Sequence, residues 1–358
     1  MFYGKTRKEV QEKLKVALHE QQQGTLVTSP SQTVAQFLTD WLENMHRWHV
    51  RPRTYERHSE VIHLHLIPAL GHCQLQKLTA QHVQAFYTKK ADEGLAATTI
   101  HYYHSVLHNA LNTAVKWGLI ARNVCDLVKP PRKEQYEIKP LTVEQVQILL
   151  ATLHGHKWEA LYTLALATGM RRGELLGLKW QDINFTTGML QVLRVLTRVP
   201  TKMPERQHVY VEAEPKTKNS RRSVLIAPFA LEALKEHRIH QLEAKLKAGE
   251  VWQEHDYVFC TSHGTHLGPN HVVEEFKKLL KQAGLPDIRF HDLRHSAASL
   301  LLSLGVHPKV VQELLGHTQI GITMDVYSHL LPGMQQDAMS KLNTVLIRQE
   351  SDEMESSG

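Results

Sequence analysis

Residues 167–180 read Ala-Thr-Gly-Met-Arg-Arg-Gly-Glu-Leu-Leu-Gly-Leu-Lys-Trp, and this stretch gives the first indication of the fold and its chemistry. Gly169 can end one helix, and Arg171 then stands at the start of the next, with Glu174 three residues further on. An arginine beside the free N–H groups of a helix start favours an anionic guest such as phosphate. A surface ion pair between Arg171 and Glu174 would explain the same residues, so the rest of the chain has to decide.

Four more short motifs follow in the second half of the chain. They are the basic turn PKTKNSRR (215–222), the pair His291 and Arg294 within FHDLRH, the segment LLGH (314–317), and MDVYSH (324–329), which holds Tyr327. His291 and Arg294 are three residues apart and therefore share one face of a helix. Each motif alone is more often structural than catalytic, so the argument rests on their combination.

Together the motifs supply what metal-free cleavage of a phosphodiester requires. Two arginines can hold a phosphate that gains negative charge, because each guanidinium makes paired hydrogen bonds and stays charged. A tyrosine can attack the phosphorus once its proton is removed, and a lysine or histidine can protonate the leaving oxygen. The sequence shows no evident carboxylate cluster for a two-metal site, and we expect neither a metal nor another cofactor.

The series TGMRRGELLGLKW, PKTKNSRR, HDLRH, LLGH and DVYSHLLPGM resembles the catalytic domain of tyrosine recombinases, in the integrase branch of mobile elements. The earlier segment SQTVAQFLTDWLE resembles the core-type DNA-binding domain of the same family. The resemblance implies a multidomain chain, with an all-α core-binding domain followed by a mixed α+β catalytic domain. It also implies a site-specific recombinase that integrates or excises a phage or other mobile element.

The resemblance assigns a role to each matching residue. It implies that Arg171 and Arg294 hold the phosphate, that Tyr327 is the nucleophile, and that Glu174 supports Arg171. The remaining catalytic positions are Lys216 as general acid, with Lys218 as a competitor, and the histidines His291 and His317. We expect further DNA contacts from basic residues of the turn and of the Pro-rich segment 128–140, namely Lys218, Arg221, Arg222, Lys129, Arg132 and Lys133.

The mechanism that the resemblance implies runs through a 3′-phosphotyrosyl bond and a free 5′ hydroxyl, without ATP. The expected partners are double-stranded DNA at attachment sites and three further copies of the chain, in a homotetramer that passes through a Holliday junction. An excisionase or a host DNA-bending protein can assist. The segment 335–348 is expected to dock on a neighbouring subunit, although packing against its own domain would explain its pattern as well.

Composition agrees with a nucleic-acid partner and gives no sign of a membrane. Lys and Arg number 42 against 36 Asp and Glu, and this basic balance suits a polyanion. The three cysteines lie far apart, which fits a reducing compartment. No apolar run approaches the roughly 18 residues of a membrane span. We therefore expect a cytoplasmic protein, nucleoid-associated when bound to DNA.

The pattern of helices, strands and prolines divides the chain into five parts. They are a helix (1–25), a helical domain (33–127), a linker (128–140), a mixed domain (141–349) and a disordered tail (350–358). The resemblance implies that the first is the remnant of an arm-binding region, the second the core-type DNA-binding domain and the fourth the catalytic domain. In the catalytic domain we predict strands at 189–199, 223–227 and 257–260, the first two forming a hairpin or small sheet. Integrases of this branch usually begin with a small β-containing arm-binding domain, of which only the helix-like part is expected here.

Three alternatives stay open from the sequence. A type IB topoisomerase uses similar Arg, Lys, His and Tyr chemistry, although the LGH motif and the helical domain favour the recombinase. A catalytically silent DNA-binding regulator could keep the same fold, although every catalytic position is filled. A resolvase of the Xer type is the third, and the extra N-terminal helix favours a mobile-element integrase over it.

Overall fold

The computed structural model describes most of two compact units of the chain. The described residues are 6–8, 10, 11, 15, 31–133, 139–199, 209–215, 220–316, 321, 339, 340, 342–344 and 346. One unit comprises residues up to Tyr136 together with Val199–Val209, and the other comprises Glu137–Arg198 with the chain from Tyr210 onwards. Of the predicted site residues, Lys216, Lys218, His317 and Tyr327 lie outside the described residues, as does the tail 350–358.

The first unit is helical. Helix α1 comprises Val34–Asp40, a π-helical stretch Trp41–His46, and Arg47–His49. Helix α2 comprises Pro52–Val61, a second π-helical stretch Ile62–Leu66, and Ile67–Leu70. Helix α3 spans Ala80–Asp92 and α4 spans Ala97–Lys116. The all-α character predicted for this half of the chain is confirmed.

The apolar stripes of α1 and α4 supply about half of the buried core of the helical unit, and α2 and α3 supply most of the rest. Thr33 begins α1, because its hydroxyl accepts from the Gln36 N–H while the Gln36 side chain accepts from the Thr33 N–H. The apolar residues at helical spacing in the two helices are buried: Val34, Phe37, Leu38, Trp41, Leu42, Ile100, Val106, Leu107, Ala110, Leu111 and Ala114. The one polar atom of Trp41 is satisfied inside this core, since its indole N–H donates to the Thr113 hydroxyl at 3.1 Å.

The second unit mixes helices with two small sheets. Its elements, in chain order, are α5 (Val143–Leu153), α6 (Glu159–Thr168), α7 (Arg172–Leu176), β1 (Ile183–Asn184), β2 (Met189–Val192), β3 (Val195–Val199), β4 (Val209–Ala213), β5 (Arg222–Leu225), α8 (Pro228–Ala248), α9 (Pro269–Gln282), α10 (Asp292–Ser303) and α11 (Pro308–Leu315). The strand order is β1-β2-β5 in one sheet, and β3 pairs with β4 in the other. The mixed α+β class predicted for the catalytic half is confirmed.

Helix α6 occupies the centre of this unit, because its residues are apolar on nearly every side. Eight of its ten residues are buried, and it contacts both α8 and α10. Four buried side chains join α10 to α11 in a smaller cluster: Ala298, Leu302, Val311 and Leu315. The ends of α6, α10 and α11 are thereby fixed relative to one another, which matters because the motifs lie at these ends.

The strand prediction for 189–199 was wrong in one respect. The segment forms two strands, β2 and β3, which belong to different sheets. The chain leaves the first sheet at Arg194, whose guanidinium pairs with the buried carboxylate of Asp182. The predicted pairing with the later strand is confirmed, since β2 runs antiparallel to β5 with Met189 opposite Leu225 and Val192 opposite Arg222.

Two further differences concern short elements. Strand β4 was not predicted, because only five residues of it are extended and they alternate weakly between exposed and half-buried positions. The predicted strand 257–260 was wrong, because Tyr257 and Cys260 each make only an isolated bridge, to Lys179 and His266. Among the described residues, none of the helices is both long enough and apolar enough to cross a membrane.

The packing of α6 against α11 requires that Gly169 has no side chain. Gly169 ends α6 in the left-handed region (φ 59°), and a Cβ there would overlap Cδ2 of the fully buried Leu315. Gly284 has a similar backbone (φ 67°) but nothing within 4 Å of the position of a Cβ.

We predict that Gly169→Ala destabilises the protein more than Gly284→Ala. The left-handed backbone costs alanine about 1 kcal/mol at either position, and overpacking against Leu315 adds about 1–3 kcal/mol at Gly169 alone. The measurement is the denaturant midpoint of each full-length variant. Equal losses for both variants would contradict the proposed contact, because the backbone term would then explain everything.

Candidate active site

Arg171 and Glu174 are held together at the start of α7. Gly169 ends α6, and Arg171 lies in extended conformation immediately before Arg172, the first residue of α7. The buried Glu174 carboxylate accepts from the backbone N–H of Arg171 at 3.0 Å and from its Nη1 at 2.8 Å. The ion pair that the sequence allowed is therefore present, but it is not a surface pair, because the Glu174 side chain is only 1% exposed.

Arg222 is the second cation on the same carboxylate. It begins β5 and shares the inner face of that strand with the buried Val224. Its Nη2 donates to Glu174 Oε2 at 3.0 Å, and its Nε donates to the Leu314 carbonyl at 2.6 Å. The side chain is 6% exposed. We expected Arg222 to contact DNA, whereas its guanidinium faces the protein.

Arg294 lies on α10, one turn after His291, and is almost fully buried. Its Nη1 donates to the carbonyl of Gly169 at 2.8 Å. Its Nη2 is buried and has no hydrogen-bond partner in the part of the chain that the structure describes. Burial, together with the positive charges of Arg171 and Arg222, lowers the pKa of Arg294 to about 9. At neutral pH the guanidinium is still charged, and it has a donor available.

The end of α11 supplies carbonyl groups to two of the arginines. Gly316 ends the helix in the left-handed region (φ 67°), and its carbonyl accepts from Arg171 Nη2 at 3.1 Å. Leu314 supplies the carbonyl that accepts from Arg222. Free carbonyls at a helix C-terminus carry partial negative charge, which suits a guanidinium. His317 follows Gly316 directly in the sequence.

The three guanidiniums share one described carboxylate, so the cluster is cationic. Burial works against ionisation of Glu174, but the charge and hydrogen bond of Arg222, followed by those of Arg171, outweigh it and keep the pKa of Glu174 below its ordinary value. Glu174 is therefore an anion that balances only part of the surrounding charge. A buried excess of positive charge with an unpaired donor is suited to binding an anion.

His291 lies beside this cluster as a neutral base. The residue is exposed as a whole, yet its ring loses hydration against its neighbours, and this desolvation and the charges of His295, Arg294 and Arg171 lower its pKa to about 4. The ring of His295 meets it edge-on at 5.2 Å between centroids. The direction of the shift follows from the two arginines even where the ring touches water. At neutral pH His291 can accept a proton or a hydrogen bond.

The structure thus brings together four of the residues predicted for catalysis or its support, Arg171, Glu174, His291 and Arg294, and places beside them Arg222, which was predicted as a DNA contact. Arg221 is exposed and pairs with Glu214 at 2.6 Å, and the linker residues Lys129, Arg132 and Lys133 are exposed. Sequence reasoning missed the carbonyls of Gly169 and Gly316 as partners of the arginines. Within the described residues, no group of three or more His, Cys, Asp or Glu side chains could hold a metal ion.

Comparison with known proteins finds the same two-part organisation. A model of the phage integrase family matches residues 139–333, and a model of the N-terminal SAM-like domain of phage integrases matches residues 33–91. A protein named tyrosine recombinase XerC-like, from Caldanaerobacter subterraneus subsp. tengcongensis, is 35% identical, over 97% of this chain and 92% of its own length.

Two solved structures share the fold at lower sequence identity. The Tn1549 transposon integrase in complex with transposon right end DNA is 22% identical with a TM-score of 0.71, over 82% of this chain and 94% of that one. A lambda integrase tetramer bound to a Holliday junction is 19% identical with a TM-score of 0.60, over 90% of this chain and 88% of that one.

We predict that His291 titrates with a midpoint of about 4 in the free protein. Desolvation of the ring, followed by the charges of His295, Arg294 and Arg171, disfavours its protonated form, so the ring stays neutral from neutral pH down to the acid range. Histidine ring resonances followed by NMR against pH, with the His291→Gln spectrum used for assignment, would measure the midpoint. A midpoint near 6.5 would contradict the electrostatic description of the cluster.

Proposed function

The chain belongs to the phage integrase family, and we propose that it cuts and rejoins DNA through a covalent bond between Tyr327 and the 3′ phosphate of the cut strand. The resemblance of the five motifs to tyrosine recombinases is thereby confirmed. The protein is an enzyme of DNA strand cleavage and transfer, a site-specific recombinase of the integrase type. We propose below a role for individual residues in each step of cleavage.

The observation that carries the proposal is the buried arginine cluster around Glu174. A phosphodiester brings one negative charge and oxygens that accept hydrogen bonds. These match the excess charge of the cluster and the Nη2 of Arg294, which has no partner among the described residues. The transition state concentrates further charge on the same oxygens, so donors that are already in place stabilise it more than the ground state. Arg171 and Arg294 are the two residues proposed to hold the scissile phosphate.

Each step of the cleavage has a proposed residue. The phenolic oxygen of Tyr327 forms a bond to phosphorus, and the bond from phosphorus to the 5′ oxygen breaks. The phenolic proton passes to a neutral base, and we assign this role to His291, which is uncharged at neutral pH and gains basicity when the phosphate lies among the arginines. Lys216 protonates the leaving 5′ oxygen, and His317 adds a further donor to the phosphate. Rejoining is the reverse reaction with the 5′ hydroxyl of the partner strand.

The assembly on DNA is proposed from the relatives. Lambda integrase forms a tetramer on a Holliday junction, and the Tn1549 integrase binds the right end of its transposon. We assign to this chain a homotetramer on paired attachment sites of a mobile element, with the segment 335–348 docking on a neighbouring subunit. The helical domain (33–127) and the exposed basic residues of the linker (128–140) bind the duplex. An excisionase or a DNA-bending protein assists the reaction.

The relative named XerC-like gives a specific reason to keep a second candidate, resolution of chromosome dimers. Both candidates share the chemistry and differ in the DNA that is cut. A nicked duplex with the junction between element and chromosome tests the integrase, and a duplex with the chromosome's own resolution site tests the resolvase.

We predict that the full-length protein forms a covalent complex with the nicked element junction in the presence of EDTA, and that Tyr327→Phe does not. The nick releases a short strand after cleavage, so the reverse reaction is prevented and the intermediate accumulates. Denaturing gels would show the complex as a band of reduced mobility. Binding of DNA by both proteins with no covalent band in either would favour the silent regulator.

We predict that Lys216→Ala slows cleavage strongly, whereas Lys218→Ala mainly weakens DNA binding. A general acid contributes about 10²–10⁴-fold to the rate. A substrate with sulfur in place of the bridging 5′ oxygen tests the role directly, because a thiolate leaves without being protonated. The sulfur substrate should restore the rate of Lys216→Ala. Restoration of a slow Lys218→Ala variant, with no effect on Lys216→Ala, would reverse the assignment.

A further inference from the structure

Arg222 joins three segments of the catalytic unit at one buried point. Its position at the start of β5 follows directly after the turn that holds Lys216. One end of its guanidinium donates to Glu174 of α7, and Nε donates to Leu314 at the end of α11. The α7 carboxylate also holds Arg171, and the α11 end leads to His317 after three residues. Arg171 also bonds both segments, through Glu174 and the Gly316 carbonyl, but Arg222 does so from β5.

The charge of Arg222 reduces the extent to which Glu174 neutralises the charge of Arg171. With Arg171 alone, the carboxylate would form a one-to-one ion pair that cancels the charge offered to a phosphate. With Arg222 on Oε2 and Arg171 on Oε1, one negative charge is divided between two cations. Arg222 is also the largest of the influences that oppose the burial of Glu174 and keep it ionised. Arg171 therefore keeps both its orientation and a surplus of positive charge.

We propose that Arg222 is a positioning residue for DNA cleavage, acting through Glu174 on Arg171 and through Leu314 on the segment that leads to His317. It does not touch the DNA, because its side chain is buried and its donors are directed at protein oxygens. The inference rests on the proposed function, since it assigns Arg222 a part in the same cleavage reaction. It replaces the direct DNA contact expected from the sequence.

The chain offers matched controls for the loss of one positive charge. Arg221 is the neighbouring residue, exposed and paired with Glu214, so Arg221→Gln removes the same group from the surface of the same turn. Lys235→Gln removes a charge from an exposed ion pair with Glu232 on α8. Arg222→Gln removes the bridge, and Glu174→Gln removes the charge that the bridge divides.

The test measures DNA affinity and the rate of covalent-complex formation at saturating DNA separately, on the full-length protein. We expect Arg222→Gln to lower the rate by about tenfold or more, as a misplaced reactive group does, with affinity changed by less than about threefold. Arg221→Gln is expected to lower affinity instead, and Lys235→Gln to change neither. Loss of affinity with an unchanged rate in Arg222→Gln would identify a DNA contact and overturn the proposal.

A double-mutant cycle tests whether Arg222 acts through Glu174. Adding Arg222→Gln to Glu174→Gln should slow cleavage much less than adding it to the wild type, because the carboxylate that it steers is then uncharged. Equal effects in both backgrounds would overturn that route. A wild type without any covalent complex would refute the proposed function instead, and the positioning role would fall with it.

A stability measurement checks the same pairing without catalysis. In the wild type the pKa of Glu174 is lowered, so the pairing stabilises the fold above the unfolded pKa and this stabilisation is lost as the pH falls through the folded pKa. Without Arg222 the desolvation of the buried carboxylate is no longer offset to the same extent, so its ionised form becomes less favourable. Arg222→Gln should therefore lower the Tm more at pH 7 than at pH 4, and the difference should vanish in the Glu174→Gln background. A pH-independent loss would contradict the coupling.

Discussion

The carboxylate of Glu174, shared between Arg171 and Arg222, is the interaction on which the arrangement of the site depends. Removing a carboxylate from water is costly unless cations and hydrogen bonds replace the lost hydration. Here three donors do so: the backbone N–H and Nη1 of Arg171, and Nη2 of Arg222. The same anion is what allows two guanidiniums to approach each other, since without it their mutual repulsion would separate α7 from β5.

Two helix ends hold the arginines in a reciprocal way. Gly169 ends α6 two residues before Arg171, and its carbonyl binds Arg294 of α10. Gly316 ends α11 immediately before His317, and its carbonyl binds Arg171. The segment that holds Arg171 thus supplies the carbonyl that orients Arg294, and the segment that holds His317 supplies the carbonyl that orients Arg171. This explains why the glycines belong to the motifs: their left-handed backbone turns the chain at the point where the carbonyl is needed.

The sequence could predict the helical character of the first unit and the motifs that hold the four predicted catalytic or supporting residues, because both depend on local spacing. The apolar stripe of α4 repeats at helical intervals, and His291 and Arg294 share a face for the same reason. The partners of Arg222 could not be predicted, since they depend on the long-range packing of β5 against α7 and α11. The sequence does contain a weaker indication that Arg222 faces the protein interior. Extending the predicted strand 223–227 back by one residue places Arg222 on the face of the buried Val224.

The pKa values of Arg294 and His291 are lowered by the same two causes, desolvation and the positive charge of Arg171. Both groups lose hydration and both face the charge of Arg171, so the free site disfavours any further proton. A phosphate in the cluster reverses the sign of the nearest charge, which raises both pKa values and stabilises the protonated form of each. Anion binding and proton uptake are therefore linked in this site. In the free protein His291 is neutral, and an anion bound among the arginines would make it a stronger base.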